Sequence, residues 1–301
     1  MQTLESLSRQ IKGAGELNSI VRTMKAMAAS KIGQYEKAME SLGDYYNTVA
    51  LGIIAYFNTH KIGTLDEMEL RTGQREKSVC AIVFGSDQGF VGQFNDSLTT
   101  FVSQSLNEII GHKEIWTVGA RIPLLLADAG LAITKKFGLP NSINAITALL
   151  GSILVSVEES HENGKLDEFY IYHNYSKPGA LYGPIRLRLL PLDEKWRQEL
   201  VQQKWPTKKK PQLIGEKRIL IEELIREYLF VTLFKACVES LASENYSRLS
   251  AMQRAEKNIE ELLDDIGHAY HRLRQSSIDE ELFDVVSGFE ALKDGASNDN
   301  F

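Results

Sequence analysis

The sequence predicts an α/β protein built as a long antiparallel coiled coil of N- and C-terminal helices plus a central α/β domain with a mostly parallel sheet. Three observations predict it. Apolar residues recur at helical spacing from roughly Glu216 to Leu292. The same rhythm runs from Leu4 to about Phe57. The chain between them alternates short apolar runs with amphipathic stretches, the order that gives right-handed crossovers. The implied divisions are an N-terminal coiled-coil helix over 1–59, a central domain with flanking loops over 60–215, a C-terminal coiled-coil helix over 216–292 and a polar tail over 293–301.

The N-terminal stripe comprises Leu4, Leu7, Ile11, Leu17, Ile20, Val21, Met24, Met27, Ile32, Tyr35, Met39, Leu42, Tyr46, Val49, Ile53 and Tyr56. No proline interrupts it, and Gly13, Gly15 and Gly33 weaken it only locally. Its Met- and Tyr-rich seam predicts adaptable packing. The C-terminal stripe includes Ile221, Leu224, Tyr228, Val238, Leu241, Leu249, Met252, Ile259, Leu262, Ile266, Tyr270, Leu273, Ile278, Leu282, Val285, Val286 and Phe289. Steps of three and four alternate, which favours a left-handed supercoil. About 75 residues at 1.5 Å each span on the order of 110 Å, so such a helix must lie along a second long helix or inside a partner.

In the middle, Val79–Phe84 reads as a buried strand, Gly92–Ile110 as a helix and Ile115–Val118 as a second strand. A short helix over Ile122–Ala129 and a weaker strand over Ala132–Lys136 follow, then a helix over Ile143–Glu159. Glu168–Tyr175 and Pro184–Leu190 form a hairpin around Ser176-Lys177-Pro178-Gly179, a last pair open to being antiparallel. His60–Ser78 and Asp193–Gly215 read as polar loops, and Lys293–Phe301 as a frayed tail.

Composition excludes several classes. The 301 residues are 43% hydrophobic and 25% charged with a net charge of -6, which is no nucleic-acid footprint. No apolar run approaches the roughly 20 residues that span a bilayer, and the first residues lack a signal peptide's basic start and apolar core. Cys80 and Cys237 sit in apolar surroundings and read as buried thiols. The loop Gly85-Ser86-Asp87-Gln88-Gly89-Phe90-Val91-Gly92 lies where a phosphate loop would, but its glycine spacing matches neither the dinucleotide nor the Walker pattern. It reads as a steric turn that binds no nucleotide. His268 and His271 lack the further ligands of a metal site. Glu260, Glu261, Asp264 and Asp265 form an acidic helix face, which reads as solvated or as facing a basic sleeve. No nucleophile–base arrangement appears, so the chain reads as non-enzymatic, with no cofactor.

Three segments together resemble the gamma subunit of F-type rotary ATP synthases. Arg22-Thr23-Met24-Lys25-Ala26-Met27-Ala28-Ala29-Ser30-Lys31 is similar to the family's N-terminal "T-K-A-M-K-M-V-A-A-S-K". Ser86-Asp87-Gln88-Gly89-Phe90-Val91-Gly92-Gln93-Phe94-Asn95 is similar to "S-D-R-G-L-C-G-x-F-N". Ser243-Glu244-Asn245 with Arg248, Ala251, Met252, Ala255 and Asn258, then Tyr270, Arg274, Gln275, Ile278, Glu281, Leu282 and Gly288, is similar to the family's ending. Departures are Gln88 for Arg, Val91 for Cys and Leu249 for Met, with no regulatory cysteine pair. This divergence resembles the alternative, sodium-translocating branch of bacterial F-type ATPases.

The resemblance implies a rotor shaft inside a hexamer of alpha and beta subunits, with a globular domain against the epsilon subunit and the membrane c-ring. It implies a peripheral membrane protein on the cytoplasmic face of a bacterial membrane. A belt at Arg22–Lys31 and Ser243–Asn258 would meet the beta subunits through Met24, Lys25, Met27, Ser30, Lys31, Glu244, Arg248 and Met252, with Lys25 and Arg248 the leading charges. Ala26, Ala28, Ala29 and Ser30 suit a sliding surface. The C-terminal helix outruns its partner by about 20 residues. Its last apolar residues, Ile278, Leu282, Val285 and Phe289, would therefore seat in an apolar collar of the hexamer. A coiled-coil scaffold with an α/β head and a nucleotide-binding enzyme with helical arms are the rival readings.

Overall fold

The computed structural model describes residues 3–59, 77–164, 166–177, 180–202, 205–207, 209 and 211–298. The elements in chain order are α1 (Leu4–Thr59), β1 (Ser78–Phe84), α2 (Phe94–Asn107), β2 (His112–Val118), α3 (Ile122–Asp128), β3 (Ile133–Phe137), α4 (Ile143–Glu162), β4 (Glu168–Lys177), β5 (Ala180–Leu190), α5 (Glu194–Val201) and α6 (Lys217–Asn298). The long helices hold 56 and 82 residues. The chain divides into one compact unit of residues 1–27 with 250–301 and a second of residues 28–249.

The second unit carries the sheet, in the order β3-β2-β1-β4-β5. β1 lies parallel to both β2 and β4, β2 parallel to β3, and only the β4–β5 pair is antiparallel. β1 is buried along its whole length, as expected of a central parallel strand covered on both faces. One face packs Trp116, Phe84, Phe169 and Ile171 against α4 and the stretch of α6 around Leu233 and Val238. The other packs Val83, Ile115 and Tyr172 against Leu98 and Val102 of α2 and Leu126 of α3. Cys80 and Cys237 are both buried free thiols in the first of these cores, and burial pushes the Cys237 thiol up to about 12. Within this unit α1 and α6 run antiparallel: Glu36 meets Tyr246, whereas Tyr45 meets Glu227 and Tyr46 meets Tyr228.

Three expectations change. The stretch Asp193–Gly215 is not all loop. Asp193 caps α5 by accepting the Trp196 N–H at 3.0 Å, and Trp196 and Leu200 then pack on Ile53, Val49 and Tyr228. The polar tail read over 293–301 is helical as far as Asn298, so the boundary set at 292 moves outward. α4 is long and apolar enough to cross a membrane by composition, contrary to the reading of the sequence. Its Ile146, Leu150, Ile153 and Val157 are instead buried against the sheet, which makes it a core helix. Residues 60–76, the Pro178-Gly179 turn, Lys208, Lys210 and residues 299–301 lie outside the described residues.

Candidate partner-binding surfaces

In the first unit, α1 and α6 meet along a seam with steps of three and four. On α1 the positions facing inward are Leu4, Leu7, Ile11, Ala14, Asn18, Val21 and Lys25. On α6 they are Met252, Glu256, Ile259, Leu263, Ile266, Tyr270, Leu273 and Ser277. Ion pairs lock the register: Arg22 Nε donates to Glu256 at 2.9 Å, Arg22 Nη2 to Glu260 at 2.9 Å, and Lys25 Nζ to the other oxygen of Glu256. The hydrogen bond from Lys25, with that from Arg22, holds the Glu256 carboxyl below its ordinary value against the opposing pull of desolvation.

This seam corrects the predicted stripe. Leu17, Ile20 and Met27 are 57%, 56% and 57% exposed. A strict three–four count from Leu4 and Leu7 leads to Ala14 and Asn18, and it leaves Leu17, Ile20, Met24 and Met27 as a second apolar stripe beside the seam. Leu262 likewise turns out and Leu263 turns in. The acidic face read as solvated is partly spent, because Glu260 pairs with Arg22. Beyond Ser277 every described side chain through Gly288 is exposed. Leu282 stands 60% exposed, Phe283 and Val285 each 72%, and Ile278 and Val286 nearly half. The side chain of Phe289 lies outside the described residues.

In the second unit the loop after β1 opens at the carboxyl end of the sheet, where the strand order reverses between β1 and β4. A Cβ on Gly85 would stand 2.4 Å from the Ile122 Cβ, so only glycine fits. Gly119, at φ +102, lies against the Gly85 backbone. The loop spends its polar atoms on the fold. Ser86 N–H donates to Asn95 Oδ1 at 3.0 Å, and Asn95 Nδ2 donates back to Ser86 Oγ at 2.8 Å. Asp87 accepts the Ala120 N–H at 2.8 Å, and the Ser86 carbonyl accepts the Arg121 N–H at 2.9 Å. Phe90 is left at the loop's crest, exposed and in the left-handed region at φ 61. α6 clamps both ends of this turn, Ser240 donating to the Phe84 carbonyl at 3.2 Å and Ser247 to that of Val91.

Next to this clamp, Arg248 Nη2 donates to Glu244 at 2.6 Å, with Asn245 Oδ1 a further acceptor for the same guanidinium. Both charges are buried. Burial pushes the Glu244 carboxyl above its ordinary value, an effect that Arg248 and, more weakly, Lys31 oppose. Arg248 and Glu244 are thus spent on each other rather than offered outward. Met252 is also buried, on a seam position of the first unit, and Ala28 is buried in the second. Of the remaining belt residues, Ser30 and Ala29 are exposed, Met24 and Lys31 half-buried, and Lys25 half-buried in its pair with Glu256. The described residues hold no cluster of His, Cys, Asp or Glu able to bind a metal.

A sequence profile for the family described as ATP synthase matches residues 3–292. The chain belongs to that family. Among its curated relatives, the ATP synthase gamma chain of Syntrophus aciditrophicus is 25% identical, with 98% of this chain and 100% of the relative covered. The gamma chain of Pasteurella multocida is 26% identical, over 97% and 100%. Two solved assemblies of the Euglena gracilis mitochondrial ATP synthase contain chains of the same fold. One, described as the rotor, is 15% identical with a TM-score of 0.58 over 91% of this chain and 98% of that one. The other, from the OSCP/F1/c-ring assembly, is 17% identical with a TM-score of 0.60 over 97% and 95%. In this ATP synthase family member, the exposed residues of the predicted α1 belt include Ala26, Met27, Ala29 and Ser30, and Leu17 and Ile20 stand exposed on the N-terminal side of it.

Proposed function

We propose that this chain is the gamma subunit, the central rotor shaft of an F-type ATP synthase or ion-translocating ATPase, coupling proton or sodium flow through a c-ring to ATP synthesis or hydrolysis on an alpha–beta hexamer. It supplies no catalytic residue. The hexamer, the epsilon subunit and the c-ring are its partners, on the cytoplasmic face of a bacterial membrane. The observation that carries this reading is the apolar run beyond Ser277, where Ile278, Leu282, Phe283, Val285 and Val286 all stand exposed on a helix that has outrun its seam. A lone helical segment of this length is marginal in water unless its apolar stripe is covered, so a collar on the partner supplies the cover. The stripe of Leu17, Ile20 and Met27 supports a second contact along the shaft. Each beta subunit would meet a different face of it, and differential contact would bias each toward a different nucleotide state.

Co-expression with alpha and beta subunits tests the reading. The chain should co-purify with the hexamer, and amide exchange over 278–288 should slow from near-unprotected in the isolated chain to strongly protected in the complex. A chain that purifies alone as a homo-oligomer, or exchange unchanged by the hexamer, would mean a scaffold rather than a shaft.

A further inference from the structure

β3 is one edge of the sheet and, among the described residues, pairs with β2 alone. One row of its peptide groups therefore faces outward, available to another strand. Beside it, between β3 and α3, lies a groove of about 920 Å³. Its walls are mainly apolar, formed by Pro123, Leu124, Leu131 and Ile133, and Leu124 is 68% exposed on its lip. Two charged residues line it, Asp87 and Lys136. Asp87 is tied to the Ala120 N–H. Lys136 makes no ion pair among the described residues and is exposed. Its neighbour Lys135 is turned to the other face of the sheet, with its Nζ 4.6 Å from the Trp116 ring centre. The two lysines thus differ: Lys135 is engaged with an aromatic face, and Lys136 is the cation among the residues that line the groove.

Lysines on an edge oppose pairing with a second copy of the same strand, since like charges would face each other. A strand carrying a carboxylate opposite Lys136 reverses that sign. We propose that the β3 edge and its groove dock an extended segment of a partner protein that places one acidic side chain opposite Lys136 and an apolar side chain two residues away on the same face. Main-chain hydrogen bonds to β3 supply the affinity, and the groove reads the alternate side chains. Side chains two apart on an added strand share a face, which sets that spacing.

The probe is a capped heptapeptide, Thr-Leu-Thr-Glu-Thr-Leu-Thr, whose Leu and Glu share one face. The control has Lys at the centre. The Glu peptide should slow amide exchange in residues 133–137 of the full chain at least about fivefold more than the Lys peptide. In a Lys136→Glu chain that preference should invert, and in Lys136→Ala it should vanish. Exchange in β1 and β4 reports that each variant is folded. Equal slowing by both peptides, no slowing by either, or a preference unaltered in the two variants would overturn the proposal.

Discussion

Arg248 and Glu244 show how residue chemistry depends on surroundings. Each looks like a surface charge when read along the sequence, yet one turn of α6 pairs them at 2.6 Å inside the second unit. Removing one partner of a buried pair leaves the other charge uncompensated, so Arg248→Met should cost about 3 kcal/mol or more in urea unfolding. Replacing both members by apolar residues of similar size should cost much less. The pH dependence has a definite sign. The folded chain raises the Glu244 carboxyl above its ordinary 4.5. Between that value and the raised one, the folded state holds a proton that the unfolded state has lost, so this group's contribution makes stability fall as pH rises through the window. In Arg248→Met the carboxyl loses the cation that opposes its rise, so the window should extend to higher pH. Unfolding midpoints at several pH values across the window check both statements.

At the scale of elements, the pairing of α1 with α6 in the first unit rests on a thin seam and a few ion pairs. Ala14, Asn18 and Lys25 replace large apolar groups on seam positions, and the Asn18 Oδ1 is buried with no partner among the described residues. Glu256 holds Arg22 and Lys25 together, and its carboxyl is depressed by them. A depressed carboxyl contributes stability above its unfolded value, and that contribution disappears as pH falls through the folded one. Glu256→Gln should therefore speed amide exchange around Arg22 and Lys25 near neutrality. At a pH well below the ordinary carboxylate range, wild type and variant should exchange alike. A difference that persists at low pH would show that packing, not charge, sets the effect. Lys25 is reached by counting in threes and fours from Leu4, but its ionic partner Glu256 lies 231 residues away in sequence and is invisible to any local pattern.

At the scale of the whole molecule, the two units differ in what they bury. Among the described residues, the largest fully buried side chains, such as Trp116, Tyr172 and Phe84, lie in the second, with Leu7 the exception. Amide exchange of the isolated chain should rank accordingly: slowest in β1 and β4, intermediate along the seam around Val21 and Ile259, and fastest beyond Ser277. Slow exchange over 278–288 in the isolated chain would contradict the exposed run described above.

By itself the sequence determined the two long helices, the strand–helix order of the middle and the parallel character of the sheet. Each follows from local periodicity and from turn residues such as Gly85 and Gly130, which act within a few positions of themselves. It also carried enough of Arg22–Lys31, the Ser86–Asn95 loop and Ser243–Gly288 to reveal the family. Tertiary structure alone decided the phase of the seam, because Leu17–Met27 and Ala14–Lys25 are competing stripes about one residue apart. The choice between them is made by Met252, Glu256 and Ile259 on the opposite helix. It decided equally that Arg248 and Glu244 lie inward and that α5 packs its Trp196 on α1. Burial and ion pairing are properties of residues brought together from distant parts of the chain, and their energies exist only once that approach has been made.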